Sequence, residues 1–116
     1  MEDITIWHNQ RCSKSRNALA LLEDRNIDAK VIKYLDTNPS AKEIKEVLTL
    51  LNIEAKELLR TGEDIYKELN LKDESNENAL IQAMAEHSKL IERPIIIRGN
   101  KAVIARPIEN LEELLK

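Results

Sequence analysis

Near the start of the chain, apolar residues recur first at every second position, then at the spacing of a helical face, and then in a second strand-like run. This order predicts a β-α-β unit. Ile4 and Ile6 alternate with polar or amphipathic neighbours, so a strand is predicted over about residues 3–8. Residues 14–26 carry apolar side chains at the spacing of one helical face, and residues 31–35 predict a second strand. A strand, a helix and a strand in so short a span predict a parallel pair with a right-handed crossover.

A proline at position 39 separates this start from a block of helices. Ser40 and Glu43 have the spacing of a capping box. The apolar residues that follow recur at i, i+3, i+4 and i+7, which predicts a helix over about residues 41–52. Shorter helices are predicted over residues 55–60, 63–70 and 77–87.

The last part of the chain predicts a β-hairpin and a helix. Residues 95–97 and 102–105 predict two strands, and Gly99-Asn100 between them suits a two-residue hairpin loop. Apolar residues within 108–115 predict a final amphipathic helix.

The order of these elements predicts an α/β fold. A β-α-β start and a β-β-α end together indicate a thioredoxin-like mixed sheet, with an all-helical insertion at about residues 40–90. A length of 116 residues suits one domain, so we expect residues 1–116 to form a single one.

Composition narrows the classes of function. Aromatic residues make up 3% of the chain and Phe is absent, so the core must be aliphatic. A net charge of −3 argues against a nucleic-acid binder, whose phosphate contacts need a positive surface. No apolar run reaches the length of a membrane span, and no secretory signal is visible at the start. A single cysteine suits a reducing compartment, so we expect a cytoplasmic protein. The sequence shows no apolar stripe outside the predicted elements, so we expect a monomer.

That cysteine, Cys12, is the strongest candidate for chemistry. It follows the first predicted strand and opens the first predicted helix, where free backbone N–H groups and the helix dipole favour an anion. Such a position favours thiolate, which is the nucleophilic form of the side chain. A buried, inert cysteine is the alternative, but Cys12 lies outside the apolar periodicity on either side. Further cationic partners for the thiol are available at His8, Arg11, Lys14 and Arg16.

Ser15 occupies the place where a dithiol motif would have its second cysteine. A C-x-x-S motif cannot close a disulfide, so an external thiol such as glutathione, or another protein, would have to resolve Cys12. Ser15 suits a capping or packing role in the first helical turn, and its hydroxyl could at the same time donate to the Cys12 sulfur. His8 either orients and ionises the thiol or bonds to the loop backbone.

Arg60, Arg93 and Arg106 lie at predicted element boundaries, and the last two each precede a proline. Proline restricts the residue before it to extended conformations, which fixes the direction of that arginine. In a thioredoxin-like sheet the proline that leads into the third strand, here Pro94, is typically cis and beside the active cysteine. Guanidinium groups suit tetrahedral oxyanions because they are planar and permanently charged. One cysteine and two histidines without ligand spacing predict no metal site.

Five sequence blocks together carry a family resemblance. They are His8-Asn9-x-x-Cys12-x-x-Ser15-Arg16, Leu58-Leu59-Arg60, Tyr66-Lys-Glu-Leu69, His87-x-x-Leu90-Ile91-x-Arg93-Pro94 and Arg106-Pro107. With these blocks in this order, the chain resembles the ArsC-like arsenate reductase family, which is coupled to glutathione and glutaredoxin, and especially its short bacterial members. Gln10 and Ser88 stand where that family commonly has proline.

The resemblance implies a role for each of the matching residues. Cys12 would attack arsenate, and the oxyanion and its adduct would be held by Arg60, Arg93 and Arg106. Activation of the thiol and formation of the oxyanion loop would involve His8, Ser15, Asn9 and Arg16. The resemblance implies no bound cofactor, with glutathione as co-substrate and glutaredoxin as partner.

Two other functions fit parts of the same pattern. Spx-like regulators, which bind RNA polymerase, share the fold and an Arg-Pro segment, but those that sense redox state usually carry C-x-x-C where this chain has Ser15. A thiol oxidoreductase that acts on glutathionylated proteins would also be compatible with Cys12 and Ser15. The His8-Asn9 pair and the second Arg-Pro favour the reductase over the regulator, and the three arginines favour a small oxyanion over a glutathionylated protein.

Overall fold

The structure is a computed structural model that describes residues 3–116. In chain order its regular elements are β1 (Ile4–Trp7), α1 (Ser13–Asp24), β2 (Lys30–Ile32), α2 (Tyr34–Thr37), α3 (Ala41–Leu51), α4 (Ala55–Leu58), α5 (Asp64–Glu68), α6 (Glu77–Glu86), β3 (Ile95–Arg98), β4 (Lys101–Ile104) and α7 (Glu109–Leu115). Short 3₁₀ turns occupy Leu71–Asp73 and Ser88–Leu90. No helix within the described residues has the length and apolar character needed to cross a membrane.

The chain divides into two compact units. The first contains the residues up to Thr37 together with Arg93–Lys116, and the second is Asn38–Glu92. The second unit corresponds to the helical insertion that the sequence predicts. Whether the chain behaves as the single domain that its length suggests stays a prediction.

The first unit contains a four-stranded mixed sheet in the order β2-β1-β3-β4. β1 runs parallel to β2 and antiparallel to β3, which in turn pairs antiparallel with β4. The core of this unit lies where inward-facing residues of the strands pack against α1 and α7. It is aliphatic and is formed by Ile4, Ile6, Ala18, Leu22, Ile96, Ala105, Leu111 and Leu114. The thioredoxin-like mixed sheet predicted from the sequence is confirmed.

The second predicted strand is too long. β2 ends at Ile32, and Tyr34–Thr37 turn into the short helix α2 because the N–H groups of Asp36 and Thr37 both donate to the Lys33 carbonyl. Tyr34 is buried and stacks on Trp7 with ring centroids 6.3 Å apart. Its apolar character therefore reflects packing against the end of β1 and not a place in the strand.

The hairpin between β3 and β4 is confirmed. Its two-residue loop places Gly99 at a φ of +56°, a conformation that glycine adopts without steric cost. Elsewhere the left-handed positions are filled by asparagine, the side-chain-bearing residue that tolerates them best; they are Asn26, Asn38, Asn52 and Asn70.

The second unit is mainly helical, with α3 and α4 packed on α6. The predicted capping box is present: the Glu43 N–H donates to Ser40 Oγ at 3.1 Å, and the Ser40 N–H donates to Glu43 Oε1 at 3.0 Å. Its buried aliphatic residues include Ile44, Val47, Leu48, Leu58, Leu80, Ile81 and Met84.

Two of the predicted helices in this unit are shorter than expected. The helix predicted over residues 55–60 ends at Leu58, because Leu59 becomes extended and forms an antiparallel bridge with Ile91. The helix predicted over 63–70 covers only Asp64–Glu68. The first correction arises from backbone pairing that a local hydrophobic pattern does not encode, and the second helix is followed by Asn70 in the left-handed conformation, with a φ of +53°.

Candidate active site

Cys12 lies at the N-cap of α1. Its backbone is extended, with φ −100° and ψ 124°, and its carbonyl accepts the N–H of Arg16 at 3.0 Å, which begins the helix. The Cys12 N–H donates to the carbonyl of Asn9 at 3.0 Å and closes the loop into a turn. The thiol therefore lies at the positive end of a twelve-residue helix, as the sequence predicts.

A buried hydroxyl links the end of β1 to the first turn of α1. Ser15 is fully buried, and its Oγ accepts the N–H of Asn9 at 3.0 Å. The same Oγ lies 2.7 Å from Nδ1 of His8. The Ser15 hydroxyl donates to Nδ1 when the imidazole proton is on Nε2, and it accepts from Nδ1 when the proton is there, since a hydroxyl has two acceptor sites.

The same two bonds show what the Ser15 hydroxyl contacts. Its hydroxyl is bonded to His8 and to the Asn9 backbone, so the structure places it as a link within the loop. Within residues 3–116 neither Ser15 nor the His8 imidazole forms a hydrogen bond to the Cys12 sulfur. The activation of the thiol by His8 stays a prediction, and any such effect would act through the loop that both residues stabilise.

The surroundings of His8 favour the neutral imidazole. Burial lowers its pKa below the ordinary value of 6.5, and the positive charges of Lys33 and Arg16 lower the pKa further. The His8 backbone is fixed as well, because its N–H donates to the Ile32 carbonyl at 2.8 Å. At neutral pH this residue thus contributes hydrogen-bonding geometry and no charge.

The rest of the loop is stabilised by polar contacts to its own backbone. Asn9 Oδ1 accepts the N–H of Arg11 at 3.0 Å. The guanidinium of Arg16 folds back from α1, and its Nη1 donates to the Gln10 carbonyl at 3.0 Å. The loop around Cys12 is thus held by bonds that involve the backbone of Arg11 on one side and the side chain of Arg16 on the other.

Sheet register brings both Arg-Pro steps to the same end of the sheet as the thiol loop. Trp7, the last residue of β1, pairs with Ile95, the first residue of β3. Ile95 pairs in turn with Ile104, the last residue of β4. The steps before β3 and after β4 are Arg93-Pro94 and Arg106-Pro107.

The two steps are also joined directly by the backbone. The N–H of Ala105 donates to the carbonyl of Pro94 at 2.9 Å. Both Arg-Pro peptide bonds are cis, as the sequence leads us to expect for Pro94. Arg93 is half-buried, with Nε and Nη1 inaccessible to solvent, whereas Arg106 is exposed.

Arg60 belongs to the helical unit. Its N–H donates to the Leu90 carbonyl at 2.7 Å, next to a bond from the Glu92 N–H to the Leu58 carbonyl at 2.8 Å. Its guanidinium Nη1 lies 3.5 Å from Glu63 Oε2, and its Nε lies 3.8 Å from Glu92 Oε1. Two carboxylates thus flank this arginine.

Sequence reasoning missed a small cleft beside the thiol loop. It has a volume of about 150 Å³ and is lined by His8, Asn9, Gln10, Arg11, Lys33, Leu35 and Asp36. The signal was present in the pattern, because parallel strands place their carboxyl ends at one edge, and His8 and Lys33 each follow such a strand. The prediction of a strand through residue 35 concealed it.

The described residues contain no group of three or more His, Cys, Asp or Glu side chains that could hold a metal ion.

Comparison with known proteins decides the family. The model of the ArsC family matches residues 7–114. The chain belongs to the ArsC family. This ArsC-family chain is 48% identical to the arsenate reductase of Neisseria meningitidis serogroup A over 99% of its own length and 100% of the relative's.

Further relatives agree with this family membership. An arsenate reductase of Escherichia coli is 36% identical over 99% of this chain and 82% of its own. The structure of arsenate reductase from Vibrio cholerae superposes with a TM-score of 0.93 at 47% identity and covers 97% of each chain. The resemblance drawn from the sequence blocks around Cys12, Arg60, Arg93 and Arg106 is therefore confirmed at the level of the family.

Proposed function

We propose that this ArsC-family chain is an arsenate reductase in which Cys12 is the nucleophile. The observation that carries the proposal is the sheet register that brings the Cys12 loop and the two Arg-Pro steps to one end of the first unit. A thiol at a helix N-cap with arginines at the same edge suits attack on a tetrahedral oxyanion. The full-length similarity to proteins named arsenate reductase supports the choice of arsenate.

The reaction begins with condensation at Cys12. Its thiolate attacks arsenic(V), and one arsenate oxygen is protonated and leaves as water. A sulfur–arsenic bond replaces an oxygen–arsenic bond, so the oxidation state of arsenic is unchanged at this point. The attack takes place at the N-cap of α1, where the free N–H groups of the first helical turn suit an oxyanion.

Reduction follows when glutathione attacks the Cys12 sulfur. The sulfur–arsenic bond breaks and its electron pair stays on arsenic, which leaves as arsenite. The two sulfurs become a mixed disulfide between Cys12 and glutathione, so two electrons pass from sulfur to arsenic. Thiolate attack by glutaredoxin then releases Cys12, and a further glutathione regenerates glutaredoxin as oxidised glutathione forms.

The proposal requires an external reductant because Cys12 is the only cysteine of the chain. Glutathione and glutaredoxin supply it as co-substrate and partner, in agreement with the cytoplasmic location expected for a reaction that consumes thiols. Arg93 and Arg106 would hold the oxyanion at the edge of the sheet, and the role in oxyanion binding that the family resemblance implies for Arg60 is part of the proposal. Ser15 and His8 would keep the loop in the conformation that places the thiol at the N-cap of α1.

The test is arsenate-dependent NADPH oxidation in the presence of glutathione, glutathione reductase and glutaredoxin. Wild type should turn over and Cys12→Ser should have no activity above background. Asn17→Ala, an exposed change on α1, is the matched control and should retain wild-type activity. Full activity in Cys12→Ser would overturn the mechanism. A folded wild type without arsenate-dependent activity would overturn the substrate, and binding to RNA polymerase should then be measured.

A further inference from the structure

The cleft beside the thiol loop has two walls that come from different parts of the sequence. One wall is the loop itself, from His8 to Arg11. The other is the segment after β2, with Lys33, Leu35 and Asp36. The bond from the His8 N–H to the Ile32 carbonyl at 2.8 Å joins the walls at the base, so the cleft is part of the sheet edge.

Charges of both signs line this cleft and the protein does not use them itself. Arg11 and Lys33 are cationic and Asp36 is anionic, and all three side chains are exposed. Within residues 3–116 none of the three forms an ion pair, although exposed pairs form elsewhere, such as Arg25 with Glu112 at 2.7 Å. Lys33 and His8 both line the cleft, and the positive charge of Lys33 adds to burial in lowering the pKa of His8.

The backbone places the residues that carry the two opposite charges of the second wall on one turn. The N–H of Asp36 donates to the carbonyl of Lys33 at 2.9 Å, which turns the chain within three residues. The ammonium and the carboxylate are therefore presented from a single turn. A simple anion site would have no use for Asp36, because its charge repels an oxyanion.

We propose that this cleft binds the α-amino acid head of the γ-glutamyl residue of glutathione. The α-carboxylate would lie against Lys33 and Arg11, and the α-ammonium would lie against Asp36. A water occupies about 30 Å³ in the liquid, so the cleft has room for about five waters, comparable to the about five non-hydrogen atoms of such a head group. The inference rests on the proposed function, because it takes glutathione as the reductant.

The position of the cleft suits this co-substrate. Arg11 lines it and is followed directly by Cys12. A head group bound there leaves the remaining cysteinyl-glycine part of glutathione to extend toward the N-cap of α1. Charge complementarity to a zwitterion would orient the tripeptide before its sulfur attacks, which lowers the entropic cost of that step.

The test compares two oxidants of Cys12 and needs no arsenate. Mass spectrometry follows the rate at which Cys12 of the full chain forms a mixed disulfide with oxidised glutathione, or with hydroxyethyl disulfide, which has no amino acid head. Lys33→Ala and Asp36→Asn should each slow the reaction with oxidised glutathione by about fivefold. The rate with hydroxyethyl disulfide reports any general change in thiol reactivity, and it should be the same in these two variants as in wild type. Lys33→Arg keeps the positive charge and should keep the wild-type ratio of the two rates.

Matched controls come from the same stretch of chain. Asp28→Asn and Lys30→Ala remove exposed charges outside the cleft and should leave the ratio of the two rates unchanged. An equal effect of Lys33→Ala and Asp36→Asn on both oxidants, or no effect on either, would overturn the cleft assignment. Since the ratio is measured without arsenate, a wild type that fails to reduce arsenate would reject the proposed function and still leave this assignment tested.

Discussion

The thiol loop and the Arg60 segment place cationic side chains in opposite surroundings. Around Cys12 the loop is stabilised by a buried hydroxyl and by side-chain bonds to its own backbone, and Arg11 and Arg16 form no ion pair within the described residues. Arg60 is anchored by backbone pairing with Leu90, and two carboxylates flank its guanidinium. The loop thus keeps its positive charge available to an anion, whereas the charge of Arg60 is partly compensated by the protein.

The difference predicts where each region is vulnerable. The loop depends on one neutral, buried polar network, so removing a single atom should disturb its shape. The Arg60 segment depends on repeated backbone bonds, so side-chain changes there should alter charge and leave the shape unchanged. Effects on stability should therefore concentrate at Ser15 and His8, and effects on affinity should concentrate near Arg60.

The largest effect is expected from removal of the Ser15 hydroxyl. In Ser15→Ala the part-buried N–H of Asn9 and Nδ1 of the buried His8 lose their shared partner, which should lower the free energy of unfolding by about 2 kcal/mol. Urea unfolding measures this change. Ser13→Ala, an exposed change in the same turn, is the control and should stay within about 0.5 kcal/mol of wild type. Equal losses in the two variants would show that the network is not a source of stability.

The next effect is a pH dependence that arises from His8. Its pKa in the folded protein lies below the ordinary 6.5, so below pH 6.5 the unfolded chain binds more protons at this residue than the folded protein does. The contribution of neutral His8 is thus complete above pH 6.5 and is lost as the pH falls through the folded pKa. Wild type should lose more stability than His8→Gln between pH 7.5 and 5.5.

The His8 comparison isolates one residue, because every other titrating group is common to both proteins. The measurement is the difference in urea midpoint between the two pH values for each protein. His8→Gln keeps a hydrogen-bonding side chain of similar size, which limits the structural change. The same loss of stability in both proteins would reject the assignment of neutral His8 as a stabilising group of the loop.

Local pattern was sufficient to predict the position of Cys12 but insufficient to predict its neighbours. A strand, a polar loop and a helix in succession indicated the N-cap, and the structure has Cys12 there. The bond between Ser15 and His8 joins residues seven positions apart, so it depends on how β1 leads into α1. Two alternatives for each residue were consistent with the sequence because no local pattern encodes that geometry.

Sheet register explains why some site residues could be predicted from the sequence and others could not. The Arg-Pro steps at Arg93 and Arg106 were recognisable, and pairing of β1, β3 and β4 brings them to one edge. Lys33 and Asp36 were missed, because apolar residues through position 35 resembled a strand and concealed the turn of α2. The pairing of Arg60 with Glu92 spans 32 positions along the chain, so it too depends on tertiary structure.

The smallest effect is expected at the carboxylates that flank Arg60. Glu63→Gln removes the negative charge 3.5 Å from Nη1, so the guanidinium becomes more available to an oxyanion. Half-exposed pairs of this kind are weak, and we expect the KM for arsenate to fall by about twofold with kcat unchanged. Glu68→Gln, an exposed change in α5, is the matched control and should leave KM as in wild type. A rise in KM for Glu63→Gln would mean that this carboxylate orients Arg60 for the oxyanion. In that case the carboxylates would not weaken the positive charge of Arg60 toward an oxyanion. The thiol loop and the Arg60 segment would then both hold their cationic side chains ready for an anion.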